Sequence, residues 1–190
     1  MQAGEEVLRW PARRLSREEI LGDTAQKLIA DMRDTMRSAP GVGLAAPQVG
    51  IPVQVAVIED RVEYHSKLTP EHLTQRQRRP VPFHVVINPH IVSAEGGWLE
   101  FFEGCLSITG YMAVVPRRRR IMVEFLNEHA EPVRVEAEGW YARILQHEID
   151  HLQGCLYIDR MYSRTFCSLE NFERLWKDVP VDAARQKLMF

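Results

Sequence analysis

The sequence predicts an α+β fold, in which short antiparallel β-strands of a single domain surround one central helix. Many short runs rich in β-branched residues are separated by turn residues, which is typical of antiparallel sheets. One long helical pattern, at 140–152, interrupts them, and the chain contains no repeat or low-complexity linker. A length of 190 residues suits one domain with its own hydrophobic core.

The first part of the chain combines a helix, an irregular segment and a strand. Ala25, Leu28, Ile29, Met32 and Met36 recur at helical spacing, which predicts a helix over 24–37 with Asp23 as its N-cap. The prolines and glycines of 40–50 exclude a regular helix there, but its apolar middle indicates a loop or irregular strand packed against the core. The β-branched run at 53–58 predicts a strand.

The middle and end of the chain alternate polar and β-rich segments. Residues 60–82 are highly charged and predict a surface insertion that is partly helical near 70–78. Asn127–Ala130 predicts a hairpin turn, and Gly154 a helix end after 152. A last helix is predicted at 168–177, capped by Ser168, within a C-terminal helix and tail at 168–190. Further strands are predicted at 83–88, 91–94, 97–102, 111–115, 121–126 and 133–137.

Composition limits the classes of partner. A net charge of −2 and a pI near 6.4 give no overall positive field for DNA or an anionic membrane. No apolar run is long enough to cross a bilayer, and the N-terminus lacks the apolar core of a secretory signal. Arg117–Arg120 (117–120) is either a solvated hairpin end or a local contact with ribosomal RNA.

Three cysteines are too few for a disulfide framework and favour a reducing compartment, where a thiol can bind metal.

The most specific motif is His147-Glu148-Ile149-Asp150-His151. On a helix its two histidines stand one turn apart on the same face, where they can share one divalent metal. Glu148 is then placed to move a proton to or from a water that the metal activates. Asp150 is a candidate to orient a ligand histidine, or else a solvent-facing or capping residue. The motif therefore predicts a metallohydrolase without naming the bond that is cut.

A catalytic site of this kind usually needs a third protein ligand. Tyr157 occupies the position where metzincins have a third histidine, which excludes that class. Cys155 lies ~12 Å along the helix from His147 and is too far to share the metal. Cys105, after a predicted strand, and Glu170, at the spacing of thermolysin-like enzymes, both remain, and spacing alone does not separate them.

Three segments together resemble the three motifs of the peptide deformylases. They are Gly41-Val42-Gly43-Leu44-Ala45-Ala46-Pro47-Gln48, Glu103-Gly104-Cys105-Leu106-Ser107 and Gln146-His147-Glu148-Ile149-Asp150-His151. The resemblance extends over nearly the whole chain to about Phe166, and the last ~20 residues add nothing to it.

The resemblance implies removal of the formyl group from N-formylmethionine at the start of nascent peptides. Cys105, His147 and His151 would bind one divalent metal ion, natively Fe(II), although Zn, Ni or Co can occupy such sites. Glu148 would be the general base and then acid, while the Gln48 amide and the Leu106 N–H would stabilise the oxyanion.

The resemblance also implies how the peptide binds. Gly41 and Gly43 would let its backbone approach closely, as an added strand, and Gly104 is a further substrate-binding residue. Val42, Trp140, Ile144 and His147 would line the methionine pocket. A bacterial cytoplasm is the expected compartment, with a mature organellar form as the alternative, and a transient ribosome contact is a further expectation.

Two features depart from the family pattern. Met112 stands where many bacterial members have an arginine that touches substrate, and Tyr111 would alter the entrance. The insertion at 60–82 is longer than in the smallest members.

Two other functions compete with deformylation. One is an endopeptidase with Glu170 as third ligand, and the other is a non-catalytic, metal-stabilised binding domain.

Overall fold

The computed structural model describes residues 1–39, 41–66 and 68–190, and it confirms the α+β fold with the histidine motif on a central helix. Pro40 and Lys67, which belong to the predicted segments 40–50 and 60–82, lie outside the described residues. The helices are α1 Arg17–Leu21, α2 Asp23–Ser38, α3 Val62–His65, α4 Pro70–Gln75, α5 Gly139–Leu152, α6 Leu169–Leu175 and α7 Val181–Leu188. The strands are β1 Gly43–Ala45, β2 Val55–Asp60, β3 Val81–Cys105, β4 Ile108–Leu126, β5 Pro132–Glu138 and β6 Cys167–Ser168.

The strands form one antiparallel sheet in the order β1-β2-β3-β4-β5, with the short β6 paired to β4. β3 and β4 are long, so the separate short strands predicted within 83–102 and 111–126 are wrong in their boundaries. The ladder between them shifts register between Ile87 and His90, between Ile91 and Ser93 and between Glu95 and Trp98. These irregularities interrupt the alternation of side chains, which is why the sequence suggested several strands.

Helix α2 follows the predicted apolar periodicity and buries Ala25, Ile29, Met32 and Met36 against the sheet. Its N-cap is Gly22, so the assignment of Asp23 as N-cap is wrong: Asp23 is the first helical residue, where its charge still favours the helix N-terminus. Gly22 also ends α1, a helix of one turn that begins with a capping box on Ser16.

Helix α5 packs across the sheet and carries the histidine motif into the core. Ala142, Leu145, Ile149 and Leu152 are almost completely buried in one cluster with the sheet residues. The helix ends at Leu152, and Gly154 adopts a left-handed φ of +74°, as predicted for the residue that terminates it. The core therefore fixes both the position and the rotation of this helix.

The remaining segments lie near the two ends of β4. The predicted turn joins β4 to β5, and Ser168 caps α6 by accepting a hydrogen bond from the Asn171 N–H. Helix α7 in the tail was not predicted. In the part of the chain that the structure describes, no helix combines the length and apolar character needed to cross a membrane.

Candidate active site

The two ends of the predicted metal site meet where β3 turns into β4. Cys105 is the last residue of β3, and His147 and His151 project from successive turns of α5. Their Sγ and ring nitrogen atoms all lie within 4.8 Å of one another, and Cys105 Sγ is 3.2 Å from His151 Nε2. Tetrahedral coordination with bonds of about 2.0–2.3 Å places ligand atoms roughly 3.3–3.8 Å apart. The three residues therefore fit a divalent metal ion.

The other candidate ligands do not join this group. Glu170 is exposed at the start of α6, and Cys155 is a half-buried thiol beyond the end of α5. Among the described residues, only the cysteine and the two histidines form a cluster of metal-binding type. The structure thus favours Cys105 over Glu170 as third ligand.

Glu103 orients the first histidine, a role that sequence reasoning missed. Its Oε2 lies 3.0 Å from His147 Nδ1, which leaves Nε2 free to bind a metal. Burial alone would raise the pKa of Glu103, but Arg117, Arg143 and His147 hold that pKa well below its usual range. A metal-binding histidine usually needs such an acceptor for its other ring nitrogen. Because Glu103 lies two residues before Cys105, the sequence offered a signal for this role.

Buried arginines hold Glu103 in place. Arg117 donates to both Glu103 oxygens, at 2.9 and 3.0 Å, and also pairs with Asp150, which in turn binds Arg160. Arg117 is 3% exposed, so it is neither part of a solvated hairpin end nor free to contact RNA. Asp150 acts on this network and not directly on a ligand histidine. The arrangement buries several charges, but each has a partner.

Glu148 is buried beside the metal-binding group and faces the chain at Gly43. Burial raises the pKa of its carboxyl to about 7, and its Oε2 has no hydrogen-bond partner among the described residues. A carboxyl with such a pKa can accept and return a proton near neutral pH. A Cβ on Gly43 would lie 2.3 Å from Glu148 Oε1, so only glycine leaves room for this side chain.

Gln48 reaches the same site from the segment that follows β1. Its Oε1 accepts a hydrogen bond from the Ala45 N–H at 2.9 Å, which fixes the orientation of the amide. Its Nε2 donates to Ser107 Oγ at 3.2 Å and contacts Cys105 Sγ at 3.5 Å. Leu106 lies in the two-residue turn between β3 and β4, directly after the metal-binding cysteine.

A cavity of about 510 Å³ opens onto these groups. The structure brings every residue predicted for the substrate to its wall, together with Gln48, Glu148 and His147. Met112 and Tyr111 also line it, and Tyr111 stacks on Phe166 with ring centroids 4.9 Å apart. The predicted substrate residues on the wall are Gly41, Val42, Gly43, Gly104, Trp140 and Ile144.

The wall contains two arginines that the sequence did not place there. Arg76 and Arg78 come from the predicted surface insertion, and their guanidinium groups lie 5.1 and 5.2 Å from the Trp140 ring centroid. The insertion is therefore part of the cavity and not only of the outer surface.

The polypeptide deformylase family model matches residues 1–166. Chloroplastic peptide deformylase 1A of Solanum lycopersicum is 44% identical over 188 residues, covering 99% of this chain and 66% of its own length. Peptide deformylase 1 of Streptomyces coelicolor is 41% identical over 192 residues, covering 99% of this chain and 84% of its own length. The chain thus spans about two thirds of the length of the plant relative.

Solved structures show the same fold. A Met-Ala-Ser-bound class I type b peptide deformylase from Acinetobacter baumannii superposes with a TM-score of 0.75 at 31% identity, covering 84% of this chain and 95% of the other. A peptide deformylase from Legionella pneumophila superposes with a TM-score of 0.71 at 34% identity, covering 95% and 97%.

Proposed function

Because the chain belongs to the polypeptide deformylase family, we propose that it hydrolyses the formyl amide of N-formylmethionyl peptides and releases formate. The observation that carries this proposal is the meeting of the Cys105, His147 and His151 ligand atoms in a cavity that also contains Glu148 and Gln48.

Cys105, His147 and His151 would hold one metal ion. When bound, the ion supplies Lewis-acid chemistry that activates water and polarises the formyl carbonyl. A thiolate with two imidazoles suits several divalent ions, and we propose Fe(II) as the native one, with Zn, Ni or Co as substitutes. Burial, with His147 and Arg117 nearby, lowers the pKa of His151, which keeps its imidazole neutral as a ligand requires.

Glu148 would carry the proton through the reaction. A carboxyl with a pKa of about 7 accepts a proton from the attacking water and then delivers it to the departing amine. Gln48 and the Leu106 N–H would donate hydrogen bonds to the formyl oxygen as negative charge develops on it. The contact between the Ala45 N–H and Gln48 Oε1 supports this role because it directs the amide nitrogen toward Cys105.

The peptide would bind as an added strand along β1. This strand stands at one end of the sheet order and pairs only with β2 among the described strands, so its other edge is available to a peptide backbone. Gly41, Gly43 and Gly104 keep this approach unobstructed. Val42, Trp140, Ile144 and His147 would receive the methionine side chain.

Formate release from formyl-Met-Ala-Ser by protein freshly loaded with Fe(II) or Ni(II) tests the proposal, and no release from either would refute it. Glu148→Ala should abolish turnover while the metal content is retained. Cys105→Ala should lose the metal, whereas the matched control Cys155→Ala should keep it. Metal retained in Cys105→Ala would instead support the peptidase hypothesis with Glu170.

We also propose that the enzyme acts on nascent chains in a bacterial cytoplasm, with the organelles in which formylmethionine starts translation as the alternative compartment. A transient ribosome contact stays a prediction. Arg120 is engaged by Glu136 and Glu138, and Arg117 is buried. Arg118 and Arg119 are therefore the side chains of the basic run to substitute in a ribosome-binding assay.

A further inference from the structure

The insertion that follows β2 is fastened to the core at both of its ends. Asp60, completely buried, accepts two hydrogen bonds from Arg78, each of 2.8 Å. A Cβ on Gly139, the first residue of α5, would lie 2.5 Å from Gln77 Cβ and 2.9 Å from the Arg76 carbonyl oxygen. The backbone that carries Arg76 is therefore packed directly against the helix of the metal-binding histidines.

Arg76 is a cation without an acidic partner. Its guanidinium lies 5.8 Å from the Phe101 ring centroid and 5.1 Å from that of Trp140, and its side chain forms no ion pair or hydrogen bond with any residue that the structure describes. Burial and the like charges of Arg78 and Arg143 lower its pKa to about 10, so it remains protonated at neutral pH. Aromatic faces stabilise such a cation only partly, which leaves its five donors available to an anion.

The neighbouring arginines already have acidic partners. Arg78 is bound to Asp60, and Arg143 pairs with Glu103 and donates to the Leu99 and Val115 carbonyl oxygens. Among the described arginines of the main cavity wall, Arg76 is therefore the one without an acidic partner.

Arg76 also lies where the main cavity adjoins a second one. A second cavity of about 210 Å³ lies between α4, β3 and the C-terminal segment, and Arg76, Phe102 and Phe172 line both cavities. Neither the metal-binding residues nor Gln48 and Glu148 line the second one. Its two acidic residues, Glu71 and Asp178, are exposed, and neither pairs with Arg76.

From this placement we infer that Arg76 binds a carboxylate carried by the substrate peptide beyond its formylated first residue. The inference rests on the proposed deformylation. The carboxylate can belong to an aspartate or glutamate side chain at the second or third position, or to the free C-terminus of a short peptide. The planar guanidinium offers it two parallel hydrogen bonds, which a lysine at the same position would not reproduce.

Steady-state kinetics on matched peptides test this role. The set is formyl-Met-Ala-Ser amide, its free acid, formyl-Met-Glu-Ser amide and formyl-Met-Ala-Glu amide, each acidic side chain being compared with its glutamine counterpart. We expect wild-type kcat/KM to be roughly ten- to hundredfold higher for at least one carboxylate peptide than for its neutral match, since hydrogen bonds to charged groups are of that strength. The preferred peptide identifies the source of the carboxylate.

The variants separate recognition from structure. Arg76→Gln should bring the ratio of kcat/KM between the carboxylate peptide and its neutral match close to one, while Arg76→Lys should retain part of the preference. Arg79→Gln, an exposed arginine of the same segment, is the matched control and should behave as wild type. No preference in the wild type, or a preference that survives Arg76→Gln, would overturn the inference.

Two further measurements keep the test decisive. If Arg76→Gln does not fold, the wild-type preference should still decline as salt is raised, because the contact is electrostatic. If no formyl peptide is hydrolysed, deformylation fails on its own. Calorimetric binding of the unformylated forms of the same matched peptides then still tests Arg76, and equal affinities within every pair would refute its role.

Discussion

Replacement of Gly43 by alanine provides a sharp test of the active-site geometry. The added Cβ would lie 2.3, 2.7 and 2.9 Å from Oε1, Cδ and Cγ of Glu148. Restoring ordinary contact, at ~3.4 Å, requires the carboxylate to move by about 1 Å. A displacement of that size at a reacting group costs on the order of a hundredfold in rate, or about 2.7 kcal/mol in activation free energy.

The assay is formate release by metal-loaded protein, with metal content measured on the same samples. We expect Gly43→Ala to lower kcat about a hundredfold while the metal stays bound, because the ligand atoms are not displaced. Gly22→Ala is a suitable control, since its Cβ would meet its nearest neighbour, the Glu19 carbonyl oxygen, at an ordinary 3.4 Å.

A double-mutant cycle shows whether the effect passes through Glu148. Gly43→Ala should lower the melting temperature when it is introduced into the wild type. It should have little effect in a Glu148→Ala background, because the side chain that the new Cβ would meet is then absent. Wild-type activity in Gly43→Ala, or an equal destabilisation in both backgrounds, would refute the reasoning.

Two further predictions concern buried titratable groups. Glu103→Gln should lower the free energy of unfolding by about 3–5 kcal/mol in denaturant titrations, because Arg117 and Arg143 lose a buried charged partner; a change below 1 kcal/mol would contradict the assigned network. Burial lowers the pKa of His84 from its usual 6.5, so its contribution to stability is present above pH 6.5 and is lost as the pH falls below that value. Urea titrations between pH 7 and 5 should therefore show a smaller decline for His84→Gln than for the wild type, and equal declines would argue against the shift.

The sequence could predict those features that depend on local pattern. The apolar spacing of α2 and α5, the Ser168 cap and the Gly154 terminus follow from neighbouring residues, so their prediction succeeded. The three motifs likewise supplied the metal-binding group. Five-residue α1 was missed because it is too short to display a helical period.

The features that were missed depend on contacts between distant segments. Arg117 looked exposed within a run of arginines, yet its acidic partners are 14 and 33 positions away. Arg76 was taken for a surface residue because the insertion is polar. The buried ion pair between Asp60 and Arg78 draws this part of the insertion into the cavity wall, and the sequence of the insertion gives no sign of that pair. Local charge does not reveal burial when the compensating group lies elsewhere in the chain.

The position of Cys105 at the tip of the β3–β4 hairpin has a consequence for the folding of the chain. Cys105 and His151 are 46 positions apart, so a shared ion cross-links a hairpin tip to a helix as a disulfide would. Closing a loop of that length removes conformational entropy worth about 4 kcal/mol from the unfolded chain. Chelation should therefore loosen the hairpin tip as well as stop turnover. Ion supply would then set the lifetime of the protein in the cell together with its activity.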